Sequence, residues 1–237
     1  MQIESHGISD IGKKRQNNED VFILIDELRF YALADGMGGH KAGEVAAHFA
    51  IKTLCHQFLA DSNLNLPLPS SRIIHQMSQA MQKANKHVFT MSSSRDEWIG
   101  MGTTLSCLLL HEDLMFFAHV GDSRIYRFRE DLQQITQDHT TRCLKKKGKI
   151  TRAIGTSPSV EPEVGVIAPL DDDLFLLCSD GLTDLLEDFE IADLLFASKE
   201  ESPRHICETL INAANERGGH DNITVIALKV IEPEGLI

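Results

Sequence analysis

TTLSCLLLHEDLMFFAHVGDSRIYRF, residues 103–128, sets three apolar runs almost end to end. TTLSCLLL (103–110) and LMFFAHV (114–120) are separated by His111-Glu112-Asp113, and SRIYRF (123–128) follows directly after Gly121-Asp122. Runs of this length between turn residues read as strands. Connections of two or three residues leave no room for a crossover helix, so consecutive strands are expected to pair antiparallel, as hairpins and meanders. The same pattern recurs in VFILI (21–25), FYALA (30–34), LQQIT (132–136), VGVIA (164–168), DLFLLCS (173–179) and NITVIALKVI (222–231).

Four other segments carry helical periodicity. Residues 43–60 place Ala47, Ile51, Leu54 and Phe58 on one face, and 71–91 place Ile74, Met77, Met81, Ala84 and Val88 on one face, with Ser70-Ser71 as expected caps. Residues 187–198 and 203–217 complete the set, the last opening near Pro203 and closing at Gly218-Gly219. Many antiparallel strands with two groups of helices predict an α+β fold, two packed antiparallel sheets flanked by helices. No break in composition divides the chain, so residues 1–237 are expected to form a single domain.

A formal net charge of −12 argues against a general binder of nucleic acid or anionic membrane, since both require clustered Lys and Arg. There is no apolar stretch long enough to span a bilayer and no basic-then-apolar leader, which points to the cytoplasm. Cys55, Cys107, Cys143, Cys178 and Cys207 are scattered, odd in number and without a CxxC pair, which favours buried free thiols over zinc ligands or disulfides.

The acids are more informative. Asp20, Asp35, Asp122, Asp180 and Asp221 each stand where an apolar run begins or ends, most with a glycine close by. Any one of them is a common turn residue. If strand pairing brings all five to one edge, their repulsion matters: two like charges about 4 Å apart at an effective dielectric near 20 cost roughly 4 kcal/mol. Protonation or divalent cations must offset that, and all-oxygen donors select hard ions such as Mg2+, Mn2+ or Ca2+. In LADGMGGHKAGEVA (33–46) the glycines after Asp35 leave room for a hydrated ion, with Gly36 turning so that its carbonyl points at the same ion. Arg15, four residues before Glu19, is on spacing alone either an exposed member of Lys13-Lys14-Arg15 or a fork for two phosphate oxygens.

RQNNED (15–20), DGMGGHKAGE (35–44), GMGTTL (100–105), HVGDSR (119–124), DHT (138–140), TRAIG (151–155), CSDGLTD (178–184) and HDNIT (220–224) together resemble the metal-dependent protein phosphatases of type 2C, in their small bacterial form. The resemblance implies a four-layer α-β-β-α sandwich with the metal site at one end of the sheets. It implies two Mn2+ or Mg2+ ions, bridged by Asp35, with the Gly36 carbonyl on one and Asp180 and Asp221 on the other. Glu19 and Asp20 would hold metal-bound waters, Asp122 with Asp180 would take a third, weaker ion, Arg15 would bind phosphate, and Asn222 would support the Asp221 loop. The implied reaction is hydrolysis of phosphoserine or phosphothreonine by a metal-activated bridging water, with no covalent intermediate. His40 or a metal-bound water would protonate the leaving oxygen, and His139 is read as a turn residue.

Between DHT and TRAIG only TRCLKKKGKI (141–150) intervenes, so the flap found in many bacterial members is shortened to a basic loop carrying Lys145, Lys146, Lys147 and Lys149. The expected partner is a phosphorylated protein, in opposition to a Ser/Thr kinase, with a free-standing monomer favoured and neither nucleic acid nor membrane involved. The rival readings are a catalytically weak phosphoprotein-binding module of the same fold and a hydrolase of small phosphoesters.

Overall fold

The computed structural model describes residues 1–38, 42–59, 67–141 and 148–231. Eleven strands and five α-helices occur among them: β1 Gln2–Asp10, β2 Asp20–Ile25, β3 Phe30–Met37, α1 Ala42–Leu59, α2 Ser70–Ser92, β4 Gly102–Thr103, β5 Leu105–His111, β6 Leu114–Val120, β7 Arg124–Phe128, β8 Leu132–Gln134, β9 Glu163–Ile167, β10 Leu174–Cys178, α3 Asp180–Thr183, α4 Asp188–Ala197, α5 Pro203–Glu216 and β11 Ile223–Ile231. One sheet has the order β1-β11-β10-β7-β8. The other has the order β2-β3-β5-β6-β9, with β4 pairing β3. Among the described residues the strands pair antiparallel.

The period of two along the strands builds three apolar layers. On β3, Phe30, Ala32 and Ala34 face α1 and α2, while Tyr31 and Leu33 face the opposite sheet. On β11, Val225 and Ala227 face α4 and α5, while Ile226, Leu228 and Val230 enter the space between the sheets. Each central strand is therefore apolar on both faces, which is why it appears in the sequence as an unbroken run rather than an alternation. The helices–sheet–sheet–helices order is the predicted four-layer sandwich.

Three local expectations need correction. The meander stops at Val120: β6 lies in one sheet and β7 in the other, so Gly121–Ser123 carries the chain across the sandwich instead of closing a hairpin. Gly121 takes φ +121°, and a Cβ there would lie 2.6 Å from the Thr104 side chain. β1 was not foreseen; QIESHGISD mixes polar residues and a glycine, and its place at a sheet edge beside β11 asks little of its side chains. Ser70 opens α2 with Pro69 as N-cap, and no side-chain capping bond forms there. Cys55, Cys107, Cys178 and Cys207 are buried free thiols as expected, and Cys143 lies outside the described residues.

Candidate metal centre

One end of the sandwich holds a cleft of about 330 Å³ lined by Arg15, Glu19, Asp35, Gly36, Asp122, Asp180 and Asp221, together with Thr104, Asn222, Gly148 and Ile150. The predicted acids thus reach one place from both sheets. Asp35 comes from β3, Asp122 from the crossing between sheets, Asp180 from the first turn after β10 and Asp221 from the approach to β11. Asp35 is not beyond a strand end as expected. β3 runs on to Met37, Asp35 pairs with Asp20 across β2, and Gly36 pairs with Thr103 of β4. Gly36 is required by close approach, not by a turn: a Cβ would fall 2.3 Å from the Gly43 carbonyl oxygen and 2.7 Å from that of Glu19.

The backbone around Asp35 is held by two threonines. Thr104 Oγ1 accepts from the Asp35 N–H (2.9 Å), the Thr104 N–H donates to the Asp35 carbonyl (2.8 Å), and Thr103 Oγ1 donates to that same carbonyl (2.8 Å). Asn222 ties the acid-bearing loops together. Its Oδ1 accepts from the Glu19 N–H (2.9 Å), and its Nδ2 donates to the carbonyls of Ile11 and Asn17 (both 3.0 Å). The Asn222 N–H donates to Asp221 Oδ1 (2.8 Å). Arg15 sits at the mouth, its Nη2 donating to Asp221 Oδ2 at 2.7 Å.

Asp20 lies beneath the cleft rather than on its wall, only 8% exposed. Oδ2 accepts from Ser179 Oγ (2.8 Å) and Thr224 Oγ1 (2.6 Å), while Oδ1 is buried without a hydrogen-bond partner. Ser179 and Thr224 escaped the sequence reading, although each stands inside a quoted motif, one residue before Asp180 and three after Asp221.

The electrostatics follow from this crowding. Burial raises the Asp20 pKa to about 6, with the charges of Asp180 and Asp221 adding to it. Asp35 is pushed well above the usual carboxylate range, first by burial and then by Asp20, Asp180, Asp122 and Asp221. Glu19 is raised mainly by burial. Hard oxygen donors around a small cleft, an orphaned buried carboxylate oxygen and mutual repulsion fit divalent cations of the Mg2+ and Mn2+ class. The carboxylates ring the cleft instead of meeting at a point: among the described residues, the three side chains whose ligand atoms lie within 4.8 Å of one another are His119, His139 and Glu163.

The protein phosphatase 2C model matches residues 12–223. The chain belongs to the protein phosphatase 2C family. Within it, the chain is 33% identical over 240 residues to the serine/threonine phosphatase Stp of Listeria monocytogenes, covering 93% of each. It superposes on the Streptococcus agalactiae serine/threonine phosphatase with a TM-score of 0.86 and 32% identity, covering 97% of this chain and 100% of that one. It superposes likewise on the catalytic domain of the serine/threonine phosphatase PstP in complex with two manganese ions, with a TM-score of 0.82 and 33% identity over 97% and 99% of the two chains. In this 2C phosphatase His40 and Lys145–Lys147 fall outside the described residues, whereas Lys149 is described. No described helix is long and apolar enough to cross a membrane.

Proposed function

We propose that the cleft removes phosphate from phosphoserine and phosphothreonine side chains of proteins, with each acid in the role that the family pattern gives it. The chain is a metal-dependent protein serine/threonine phosphatase using Mn2+ or Mg2+. When bound, these ions would lower the pKa of a coordinated water toward neutrality and neutralise phosphoryl charge. Asp35, the Gly36 carbonyl, Asp180 and Asp221 would hold the core pair, with Asp122 contributing to a third position. Glu19 and Asp20 would orient the hydration shell. Arg15 offers a planar fork for two phosphoryl oxygens at the mouth. His40 is the candidate side chain for protonating the departing oxygen.

The observation that carries this reading is the arrival of Asp35, Asp122, Asp180 and Asp221 from four separate segments on one cleft that also contains Arg15. The test is hydrolysis of p-nitrophenyl phosphate, phosphopeptides and nucleotides with Mn2+, beside an Asp35→Ala variant. Mn2+-dependent turnover lost in the variant supports the assignment. Absence of turnover in the unaltered protein overturns it in favour of a binding module, and a preference for nucleotides over phosphopeptides overturns the substrate class. Residues 1–237 are further proposed to act as one monomeric catalytic domain in the cytoplasm, opposing a Ser/Thr kinase.

A further inference from the structure

His139 and Asp138 straddle the turn that carries Asp122. Asp138 accepts from Arg124 Nε (2.9 Å) and Nη2 (2.7 Å), two residues after Asp122. His139 holds Gly121, one residue before it, twice: its N–H donates to the Gly121 carbonyl (2.7 Å), and its Nδ1 accepts from the Gly121 N–H (3.0 Å). The Gly121 carbonyl also faces His119 Nε2 at 3.1 Å, while His119 Nδ1 lies 2.8 Å from Ser106 Oγ.

A carbonyl only accepts, so His119 carries its proton on Nε2. At His139 the Gly121 N–H, which only donates, takes the Nδ1 lone pair; the proton then sits on Nε2, and the 3.1 Å approach of Arg152 Nη1 to Nε2 sets two donors face to face rather than making a hydrogen bond. Both His119 nitrogens and Nδ1 of His139 are thereby engaged. The two rings also stack, with centroids 4.9 Å apart and planes 25° from parallel, so their in-plane lone pairs do not converge on a common ion with Glu163. His119 and His139 together brace the Gly121 turn, while Glu163 accepts from the Gln137 N–H. His139 also holds the chain just beyond the basic loop. Its carbonyl accepts from the Thr151 N–H (2.7 Å), next to the Thr140–Ile150 bridge, and Ile150 lines the cleft.

We propose that His139 is the positioning residue of the Asp122 turn: its Nδ1 lone pair sets where the Asp122 carboxylate stands in the cleft, and hence the Mn2+ affinity of the position Asp122 serves. The proposal rests on Asp122 as a metal-contacting carboxylate. The test titrates metal-stripped protein with Mn2+, following free Mn2+ by electron paramagnetic resonance and folding by melting temperature. His139→Leu removes the acceptor, and His139→Gln, which cannot place an acceptor at the Nδ1 position, replaces it if the leucine variant fails to fold. His139→Asn restores an oxygen near Nδ1.

The expected result is about a tenfold loss of affinity at the weakest Mn2+ position in His139→Leu, a change within about twofold in His139→Asn, and no further loss when His139→Leu is added to Asp122→Ala. A wild-type isotherm in His139→Leu, or additive losses in the double variant, overturns the proposal while leaving the Asp122 assignment standing. A wild-type isotherm in Asp122→Ala overturns that assignment, and the proposal falls with it.

Discussion

Asp20 and Asp35 stand directly opposite each other on β2 and β3, so two acids share one face of a strand pair at the floor of the cleft. Cross-strand partners of like charge destabilise a sheet, and here burial strengthens the effect. The Asp20 pKa rises from 3.8 to about 6, equivalent to about 3 kcal/mol between its two protonation states. Above about pH 4 an unfolded chain has lost this proton, while the folded chain retains it to about 6. Rising pH across that window therefore favours unfolding, and the full cost is present above it. Asp35 acts in the same direction. About half of that cost is already present at pH 5, so from the Asp20 contribution metal-stripped protein is expected to melt roughly 3–6 °C lower at pH 7.5 than at pH 5. The pH dependence should flatten in Asp20→Asn, and saturating Mn2+ should restore stability at pH 7.5. An unchanged slope in the variant would remove Asp20 as the source.

Replacing Asp35 with asparagine should move stability and activity in opposite directions. The substitution removes the charge at the centre of the cluster while keeping the shape of the side chain and the threonine bonds to its backbone. Metal-stripped Asp35→Asn is expected to melt higher than the unaltered protein at pH 7.5. Its Mn2+-dependent turnover should fall by at least about 100-fold, since charge stabilisation in the transition state is lost. Melting curves in chelator and initial rates in Mn2+ read the two effects separately. A drop in both would mean that Asp35 serves the fold rather than the ions.

The layered architecture was legible because apolar runs on central strands are dictated by burial on both faces, as at Tyr31 and Ala32 of β3. The acids were legible because each interrupts such a run. What escaped depends on three-dimensional proximity. The Gly121 crossing looks like any Gly-Asp hairpin turn until β7 is seen to pair with β10. Gly36 looks like a turn residue, yet its smallness answers to Gly43 and the Glu19 carbonyl, the first seven and the second seventeen positions away. Asp20 next to Glu19 suggested two equivalent water-holding acids, but Glu19, just before β2, lines the cleft wall, whereas Asp20, the first residue of β2, is held beneath it against Ser179 and Thr224.

Arg15 should act on substrate affinity more than on the ions. Its guanidinium is about half exposed at the mouth and engages Asp221 through Nη2, leaving other N–H groups of the fork for phosphoryl oxygens. A charge-assisted hydrogen bond is worth about 1.5–3 kcal/mol, so Arg15→Ala is expected to raise KM for a phosphopeptide roughly tenfold or more. Mn2+ affinity should change by less than about threefold, because an exposed ion pair with Asp221 contributes little. Arg15→Lys should recover only part of the loss, since a point charge replaces a planar fork. An unchanged KM with weakened Mn2+ binding would reassign Arg15 to organising Asp221.

Asn222 gives the sharpest separation between side-chain shape and charge. It is 4% exposed and spends its amide on main-chain groups of three residues: the Glu19 N–H through Oδ1, and the Ile11 and Asn17 carbonyls through Nδ2. Truncation in Asn222→Ala leaves a donor and two acceptors without it, each costing about 1–3 kcal/mol where water cannot replace it. A melting temperature about 10 °C lower is expected for the metal-stripped variant. Mn2+ binding should weaken as well, because the main chain of Glu19 loses its side-chain anchor, although the Asn222 N–H still reaches Asp221. Asn222→Asp keeps an acceptor for Glu19 but turns a carboxylate oxygen toward two carbonyls in an already acidic cleft, so it should be no more stable than the alanine variant above neutral pH. If Asn222→Asp instead melts like the unaltered protein, the Nδ2 bonds to Ile11 and Asn17 contribute nothing, and the anchor reduces to the single bond with Glu19.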